Sequence, residues 1–361
     1  MKNVLVTGGA GFIGSNFVHY LLRIDPKVRI VNLDALTYAG SLENLRDLPS
    51  PERHRFIEGN ITDKTLVAQI FEEFHIDTVV HFAAESHVDR SILDPGVFVE
   101  TNVIGTFTLL EAARKAWIVQ KHFPLKDVRF HHVSTDEVFG TLEEQDPPFE
   151  ENTAYAPRSP YAASKASSDH FVRAYHTTYG LPVSITNCSN NYGPRQFPEK
   201  LIPLMILNAK SGKKLPIYGD GMQVRDWLFV DDHCAAIHKV ITNGKAGETY
   251  CVGGDNQPAN IEVVKLICKL MDGFEPGSAF TPHEKLIEYV KDRPGHDRRY
   301  DIKIDKIGAE LGWEPGVSFE KGLSKTIAWY LDNEAWVDAI MKTSDYNTWV
   351  NRNYKGRDGS L

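Results

Sequence analysis

The sequence predicts an α/β protein built on a Rossmann-type, doubly wound parallel sheet, followed by a smaller α/β domain. Three observations support this: short apolar strands alternate with amphipathic helices, a glycine-rich turn joins the first strand to the first helix, and polar residues follow several strands. Such alternation is typical of a parallel sheet covered by helices on both faces. We therefore expect a Rossmann domain over residues 1–190 and a smaller domain over 191–361.

Composition limits the functions open to the chain. Of its 361 residues, 42% are hydrophobic and 24% are charged, which is ordinary for a globular protein. The formal net charge of −8 argues against nucleic acid and membrane surfaces as partners, since both attract basic faces. With neither a signal-peptide pattern nor an apolar run long enough to span a bilayer, we expect a cytoplasmic protein. The cysteines show no metal-ligand spacing, which predicts buried free thiols and no metal site: Cys188, Cys234, Cys251 and Cys268.

The first predicted strand leads into the glycine-rich turn. An apolar strand over 4–7 runs into Gly8, Gly11 and Gly14, and an amphipathic helix follows through Leu22. These glycines allow a tight turn, a close approach of the backbone to a pyrophosphate, and close packing of helix on strand. A strand before and a helix after is the context that a dinucleotide-binding turn requires. The turn residues that we expect to contact the cofactor are Gly8, Gly11, Phe12, Ile13 and Gly14.

An acidic residue ends the second predicted strand. The apolar run over 28–33 predicts this strand, and Asp34 follows it, about twenty residues after the glycine turn. A carboxylate there accepts hydrogen bonds from the adenosine ribose and repels a 2′-phosphate, which predicts NAD rather than NADP. The alternative is a capped strand–helix turn that binds no nucleotide. We expect adenosine contacts from Asp34, Ala35, Leu36 and Thr37.

Two further strands end in residues suited to hold a cofactor. The pattern predicts a third strand over 55–58, a helix from Asp63 to Phe74, a fourth strand over 78–82 and a long helix over 97–120. Small residues after the fourth strand let a cofactor lie close to the backbone. The further candidate cofactor contacts are Asn60, Ile61, Phe82, Ala83, Ala84, Ser86, Thr101 and Asn191.

Two adjacent carboxylates follow the fifth predicted strand. The run over 128–133 predicts a buried strand, and Ser134, Thr135, Asp136 and Glu137 come directly after it. Adjacent strand residues point to opposite faces, so both acids can serve one pocket only if the strand has ended and the chain turns. Two carboxylates in different surroundings can then act as general acid and general base. The alternative is a solvated turn or a helix cap.

Tyr161 and Lys165 open the next predicted helix, which extends to about Tyr179. Residues four apart are neighbours on one helical face. An ammonium beside a phenol favours the phenolate, so we expect Lys165 to lower the pKa of Tyr161 and make it a base for a sugar hydroxyl. An isolated Tyr–Lys pair of this kind is common on protein surfaces. Its position after a nucleotide-binding half favours a catalytic role here.

The second half of the chain carries weaker patterns. They predict a helix over 197–207, a strand over 215–218, a strand start at 225–227 and a helix capped by 230–232. A capped helix from Asn260 follows. Core-packing helices are predicted near the C-terminus from its aromatic residues, which include Trp313, Trp329, Tyr330, Trp336 and Trp349.

The chain resembles the extended short-chain dehydrogenase/reductase superfamily over essentially its whole length. The shared motifs are T-G-G-A-G-F-I-G at 7–14 and Y-x-x-x-K at 161–165. Thr135-Asp136-Glu137 narrows the resemblance to nucleotide-sugar 4,6-dehydratases, and most closely to those acting on dTDP-glucose, because related 4-epimerases lack this acid pair. Further similar stretches lie at 83–90, 187–194 and 292–300. Asn60 departs from the pattern, since many relatives carry Asp near the adenine, but an amide can still hydrogen-bond there.

The resemblance implies conversion of dTDP-glucose to dTDP-4-keto-6-deoxyglucose, with NAD restored at the end of each turnover. It implies that Tyr161, assisted by Lys165 and Thr135, takes the O4 proton as C4 gives hydride to NAD. Glu137 would then remove the C5 proton while Asp136 protonates the departing C6 hydroxyl, before hydride returns to C6. The resemblance also implies a homodimer, paired through the helices that begin near 97 and 161, and a second half that returns segments to the first sheet.

The resemblance further implies how the nucleotide-diphosphate sugar is held. Basic side chains of the second half would converge on the diphosphate, with Arg the better bidentate partner for phosphate. The candidate substrate contacts are Ser86, Thr135, Asn190, Lys200, Leu201, Pro216, Tyr218, Arg225, Asn260, Arg293 and His296. The alternatives are a 4,6-dehydratase of a UDP- or GDP-sugar, a 4-epimerase or decarboxylase, and a non-catalytic NAD-binding sensor. Asp34 argues against the GDP-mannose enzymes, which generally use NADP, and the complete set of catalytic candidates argues against the sensor.

Overall fold

A seven-stranded parallel sheet forms the centre of the computed structural model, which describes residues 1–292 and 297–342. The strands of the protein are β1 (Asn3–Thr7), β2 (Arg29–Asp34), β3 (His54–Glu58), β4 (Thr78–His81), β5 (Arg129–Thr135), β6 (Val183–Cys188), β7 (Asn190–Tyr192), β8 (Leu215–Tyr218), β9 (Trp227–Phe229), β10 (Thr249–Val252) and β11 (Ile287–Val290). The central sheet has the order β3-β2-β1-β4-β5-β6-β10, and all its neighbouring strands are parallel. The predicted Rossmann-type fold class is confirmed.

Helices cover both faces of this sheet. They are α1 (Phe12–Ile24), α2 (Lys64–Glu73), α3 (Val88–Leu93), α4 (Pro95–Phe98), α5 (Thr106–Arg114), α6 (Pro160–Tyr179), α7 (Leu201–Lys210), α8 (Val230–Asn243), α9 (Asn260–Phe274), α10 (Asp305–Leu311), α11 (Phe319–Asp332) and α12 (Glu334–Met341). On one face, Val4 and Val6 of β1 share a core with α1 and α8. Leu5 points to the opposite core, formed with α2, α5 and α6, because successive strand residues alternate between faces.

The second half of the chain contributes a separate core and one strand of the central sheet. Helices α7, α9, α11 and α12 pack around buried residues such as Met205, Ile267 and Trp336. Two small parallel sheets, β8 with β11 and β7 with β9, lie in this half. Strand β10 instead pairs with β6 in the central sheet. The division of the chain at residue 190 remains a prediction.

Some element bounds differ from those that the sequence predicts. Helix α7 begins at Leu201 rather than 197, because Pro203 lacks an N–H and is tolerated only in the first turn of a helix. The predicted long helix over 97–120 contains two π-helical segments, Val99–Gly105 and Lys115–Val119. The sequence predicts that 230–232 cap a helix, but Asp231 and Asp232 lie in the first turn of α8.

Three further observations complete the description of the chain. The four cysteines are buried and form no disulfide. Within the described ranges, no helix combines the length and apolar character needed to cross a membrane. Arg293, His296 and Trp349 lie outside the described residues.

Candidate active site

A cleft of about 340 Å³ opens at the carboxyl ends of the central strands. Residues that follow β1, β2, β4, β5 and β6 form its walls, together with the starts of α1 and α6. Ligands of open α/β sheets bind at this edge, where the strand order reverses. All the candidate catalytic residues line the cleft: Thr135, Asp136, Glu137, Tyr161 and Lys165.

The glycine turn has no room for side chains. Gly8 adopts a φ of +72°, and a Cβ there would lie 2.6 Å from the backbone nitrogen of Ala83. A Cβ on Gly14 would lie 2.2 Å from the carbonyl oxygen of Gly8. Gly11 is the N-cap of α1 and offers no side-chain acceptor, so the first N–H groups of this helix need another partner. The turn therefore fits the pyrophosphate of a dinucleotide, which the positive end of the helix dipole also favours.

Asp34 supports the glycine turn from the end of β2. Its Oδ2 accepts a hydrogen bond from the N–H of Ala10 and its Oδ1 from the N–H of Leu36, both at 2.8 Å. Burial raises the pKa of Asp34, although these two N–H groups oppose the shift. Each carboxylate oxygen keeps a second lone pair that a ribose hydroxyl can use. Asp34 can therefore organise the turn and bind a ribose at the same time.

Most other candidate cofactor contacts line the same cleft: Ala35, Thr37, Asn60, Ile61, Phe82, Ala83, Ala84, Ser86, Thr101 and Asn191. Leu36 is not part of the cleft walls. Its φ of +50° turns the chain, and its N–H is bonded to Asp34. The side-chain oxygen Oδ1 of Asn60 accepts hydrogen bonds from both the N–H and the hydroxyl of Thr62, each at 3.0 Å. These bonds fix the orientation of the side-chain amide.

The two adjacent acids begin where β5 ends. A 3₁₀ turn over Asp136–Phe139 follows the strand, as predicted, and lets both carboxylates face one cleft. Asp136 is only 2% exposed, and its Oδ1 accepts a hydrogen bond from the Thr135 hydroxyl at 3.2 Å. Burial raises the pKa of Asp136 well above its ordinary value, and the charges of Glu137 and Asp226 add to the shift. Its surroundings therefore favour the protonated carboxylic acid, which can donate a proton.

Tyr161 and Lys165 reach the cleft from the start of α6. Ser159 fixes this start by accepting a hydrogen bond from the N–H of Ala162 at 3.1 Å. Tyr161 and Thr135 line the same cleft. The Thr135 hydroxyl itself donates to the carboxyl of Asp136.

The predicted lowering of the Tyr161 pKa by Lys165 does not hold in the structure. Burial raises the pKa of Tyr161 well above its ordinary value, the charges of Glu137 and Cys188 add to the shift, and a hydrogen bond to Thr135 opposes it. The Lys165 ammonium donates to the carbonyl oxygen of Val133 at 2.8 Å, so part of its hydrogen bonding points away from the phenol. The protein surroundings therefore favour the neutral phenol of Tyr161.

The candidate substrate contacts form two groups. Ser86, Thr135, Asn190 and Lys200 line the cleft. Among the described residues, the other group lies outside its walls: Leu201, Pro216, Tyr218, Arg225 and Asn260. The N–H of Asn260 donates to the Gln223 carbonyl at 2.9 Å, and the Arg225 guanidinium donates to the Asp297 carbonyl at 2.8 Å. The Gln223 amide also donates to the Asp292 carboxylate at 3.0 Å. Gln223 and Arg225 therefore contact the two residues that flank 293–296.

Several cleft residues were not predicted from the sequence: Tyr38, Glu85, Cys188, Gln196 and Glu199. The Tyr38 hydroxyl donates to the carbonyl oxygen of Ser86 at 2.7 Å. Its position shortly after β2 could have indicated a wall residue. Glu199 is 6% exposed, and its carboxylate oxygen Oε1 lies 3.6 Å from the ammonium nitrogen of Lys200. No local pattern marks Glu199, which reaches the cleft through the turn before α7.

The chain has close relatives over nearly its whole length. Residues 5–326 match the family model described as GDP-mannose 4,6 dehydratase. The dTDP-glucose 4,6-dehydratase of Salmonella typhimurium is 54% identical, and the match covers 98% of this chain and 99% of that protein. The dTDP-glucose 4,6-dehydratase of Xanthomonas campestris pv. campestris is 56% identical, with 95% and 97% covered.

Solved structures agree with this relationship. The dTDP-glucose 4,6-dehydratase of Bacillus anthracis in complex with NAD superposes with a TM-score of 0.82 at 47% identity, covering 94% of this chain and 100% of that one. A UDP-glucose 4-epimerase from Thermotoga maritima has a TM-score of 0.81 at 29% identity, with 92% and 100% covered. The fold is thus common to dehydratases and epimerases, and sequence identity separates them. The chain belongs to the dTDP-glucose 4,6-dehydratase family of the extended short-chain dehydrogenases/reductases.

Proposed function

We propose that this protein is an NAD-dependent hydro-lyase that converts dTDP-glucose to dTDP-4-keto-6-deoxyglucose. One observation carries the proposal: Tyr161 and Lys165 line the same cleft as Thr135, Asp136 and Glu137. The groups suited to oxidation and those suited to elimination therefore meet at one end of β5. A 4-epimerase needs only the groups suited to oxidation. The 54–56% identity to named dTDP-glucose 4,6-dehydratases supports the same reaction and sugar nucleotide.

Tyr161 and Lys165 serve the oxidation of C4. Bound NAD supplies the hydride acceptor, and its oxidised ring adds a positive charge to the cleft. Tyr161 accepts the O4 proton once that charge and the Lys165 ammonium favour its phenolate. Thr135 lines the same cleft, where its hydroxyl can hydrogen-bond O4 of the sugar. The glycine turn and Asp34 hold the dinucleotide by the cradle described above.

Asp136 and Glu137 serve the elimination of water. The new ketone at C4 acidifies the C5 proton, which Glu137 removes as general base. Asp136 protonates the leaving C6 hydroxyl, a role that its raised pKa suits because a raised pKa favours the acid form. That acid form is present below the raised pKa and is lost as the pH rises through it.

The nucleotide diphosphate is held at the mouth of the cleft by basic side chains. Lys200 lines the cleft with a 39% exposed side chain and so has room to meet a phosphate. Arg225 belongs to the second group of candidate contacts, and its guanidinium carbon lies 4.5 Å from the ring centre of Tyr300. We propose that Arg293 and His296 complete this set, because they adjoin Asp292 and Asp297 in the sequence.

A substrate panel tests this function. The purified protein is incubated with dTDP-glucose, UDP-glucose and GDP-mannose, and the 4-keto product is measured by its absorbance in base. We expect product from dTDP-glucose at the highest kcat/KM. Preferential turnover of another nucleotide would contradict the proposed substrate, and a 4-epimer as product would contradict the proposed reaction.

Replacing Asp34 tests the cofactor site. Asp34→Ala should weaken NAD binding and reduce the preference for NAD over NADP, since the ribose loses its acceptor and a 2′-phosphate is no longer repelled. The measurement is the dissociation constant of each cofactor by calorimetry. Asn44→Ala is the control, because Asn44 also holds the glycine turn, donating to the Ala10 carbonyl at 2.7 Å, but does not line the cleft. Equal effects of both variants would assign Asp34 a supporting role only.

We also propose that the protein is a homodimer. Apolar side chains with 38–69% exposure lie on α3, α4, the adjoining π-helical segment and α6: Ile92, Leu93, Val97, Val99, Ile104 and Phe171. These elements pack against one another, and exposed apolar side chains on neighbouring elements are typical of an interface. Phe171→Glu should therefore yield monomers in sedimentation velocity at micromolar concentration. Phe274→Glu, which alters a phenylalanine of the same 41% exposure on α9, should stay dimeric. A monomeric unsubstituted protein would overturn the proposal.

A cytoplasmic location is proposed on the state of the thiols. All four cysteines are free, which is typical of proteins kept in a reducing compartment. Because the four thiols are buried, they are shielded from oxidants without forming disulfides. Fractionation of cells that express the tagged full chain would check the location, with the protein expected in the cytoplasmic fraction.

A further inference from the structure

A buried carboxylate lies directly behind the candidate active site. Asp169 is one turn after Lys165 on α6 and is fully buried. Its Oδ2 accepts hydrogen bonds from the hydroxyls of Ser134 and Tyr155 at 2.9 and 2.7 Å, and from the Asn187 amide at 3.3 Å. None of the roles proposed above uses this carboxylate.

His132 lies between Asp169 and Lys165. Its Nε2 is 3.2 Å from Oδ1 of Asp169 and 3.4 Å from the Lys165 ammonium. Burial lowers the pKa of His132 to about 4, so the ring is neutral and carries a single proton. That proton lies either on Nε2, where it can be donated to Asp169, or on Nδ1, where Nε2 can accept from Lys165.

The surroundings favour the proton on Nε2. A carboxylate only accepts hydrogen bonds, so a lone pair on Nε2 would face the lone pairs of Asp169. The Nδ1 atom of His132 and the Oδ1 atom of Asp169 are both buried and have no hydrogen-bond partner among the described residues, so a proton on Nε2 is the one that could serve Oδ1. A proton placed on Nδ1 would be an unsatisfied buried donor, which is costly.

We propose that Asp169 and His132 are positioning residues for Lys165. The carboxylate holds the His132 proton on Nε2, which removes the acceptor that would otherwise draw the ammonium away from the cleft. With one N–H bonded to the Val133 carbonyl, Lys165 keeps its remaining N–H groups for the cleft, where Tyr161 and the cofactor site lie. Asp169 is at the same time the buried counter-charge of the ammonium.

The charge of Lys165 depends on the groups packed around it. Burial lowers its pKa to about 8, while Asp169 on α6 and Cys188 on β6 oppose that shift. The rings of His132 on β5 and His81 on β4 are neutral, because burial lowers both of their pKa values. Burial raises the pKa of Cys188 to about 12, so the thiol is also neutral at neutral pH. Asp169 is therefore the negative charge that keeps Lys165 protonated.

Asp169→Asn tests the inference in the full-length enzyme. The three donors at Oδ2 should hold the amide oxygen in that position and turn the new NH₂ group toward His132, which reverses the ring tautomer. Loss of the carboxylate should also lower the pKa of Lys165. Because the charged form is needed and exists below this pKa, the alkaline limb of kcat should move to lower pH by about 1 unit. The dissociation constant for dTDP should not change.

Tyr155→Phe is the matched control, since it removes one hydrogen bond to Asp169 and leaves the charge and the contact with His132 intact. Its alkaline limb should stay in place. An unmoved limb in Asp169→Asn, or an equal movement in Tyr155→Phe, would overturn the inference.

A second measurement needs neither substrate nor a folded Asp169 variant. In the wild-type protein, the ¹⁵N chemical shifts of the His132 ring report which nitrogen carries the proton, and a proton on Nδ1 would overturn the inference. The kinetic readout rests on the proposed function, whereas this spectrum does not. Absence of turnover with dTDP-glucose, together with a proton on Nε2, would therefore contradict the proposed function alone.

Discussion

Asp136→Asn and Glu137→Gln should each slow overall turnover by roughly 10²- to 10⁴-fold, the usual worth of a positioned proton transfer. Asn keeps the size of Asp136 and its hydrogen bond from Thr135 but has no acidic proton for the C6 hydroxyl. Gln at 137 cannot take the C5 proton. Both variants retain Tyr161 and Lys165, so each should still oxidise C4. A rapid-mixing experiment should show reduced nicotinamide absorbance rising and then persisting.

Two outcomes would contradict this assignment. Near-normal turnover in Asp136→Asn would make the buried acid a structural residue of the turn. No reduced nicotinamide in Glu137→Gln would place Glu137 in the oxidation step. Glu151→Gln is a suitable control, because this acid accepts a hydrogen bond from the N–H of Cys251 at 2.8 Å and does not line the cleft. Its turnover should stay close to that of wild type, because the Gln amide oxygen can still accept that hydrogen bond.

Tyr161→Phe should stop the reaction at its first step. Phe keeps the ring but removes the atom that accepts the O4 proton, so we expect a loss of roughly 10²- to 10⁴-fold or more in kcat. No reduced nicotinamide should accumulate when this variant is mixed with substrate, in contrast to the acid variants. Binding of dTDP, measured by calorimetry, should be unchanged.

The control for this variant lies on the same helix. The Tyr175 hydroxyl donates to Glu111 at 2.6 Å, away from the cleft, so Tyr175→Phe should leave the rapid-mixing trace as in the wild type. Normal accumulation of reduced nicotinamide in Tyr161→Phe would remove Tyr161 from the role of base.

Features governed by local chain chemistry could be predicted from the sequence. The glycine turn, the strand that ends in Asp34 and the turn after β5 each depend on spacing within a few residues, and each lies where it was expected. The start of α7 was misplaced, although Pro203 already carried the information. Because proline has no backbone N–H, it fits only in the first turn of a helix, and a start near Leu201 places Pro203 in that turn.

Properties that depend on tertiary surroundings could not be predicted in this way. The pair of Tyr161 and Lys165 was found by its spacing, but the direction of the Tyr161 pKa depends on burial and on Glu137 and Cys188. The contact between His132 and Asp169 joins a strand to a helix, and no sequence pattern indicates it. Periodicity identifies which residues share a face, and it does not give the electrostatics of the site they form.

Strand β10 has a consequence for how the chain folds during its synthesis. Until residue 252 has left the ribosome, β6 is the edge of the sheet, and its outer N–H and C=O groups lack the partners that β10 provides. Exposed strand edges promote association between nascent chains. The nucleotide-binding half therefore cannot complete its sheet before much of the other half has been translated. A fragment that ends at residue 190 should be prone to aggregate, and one that extends through β10 should be less so.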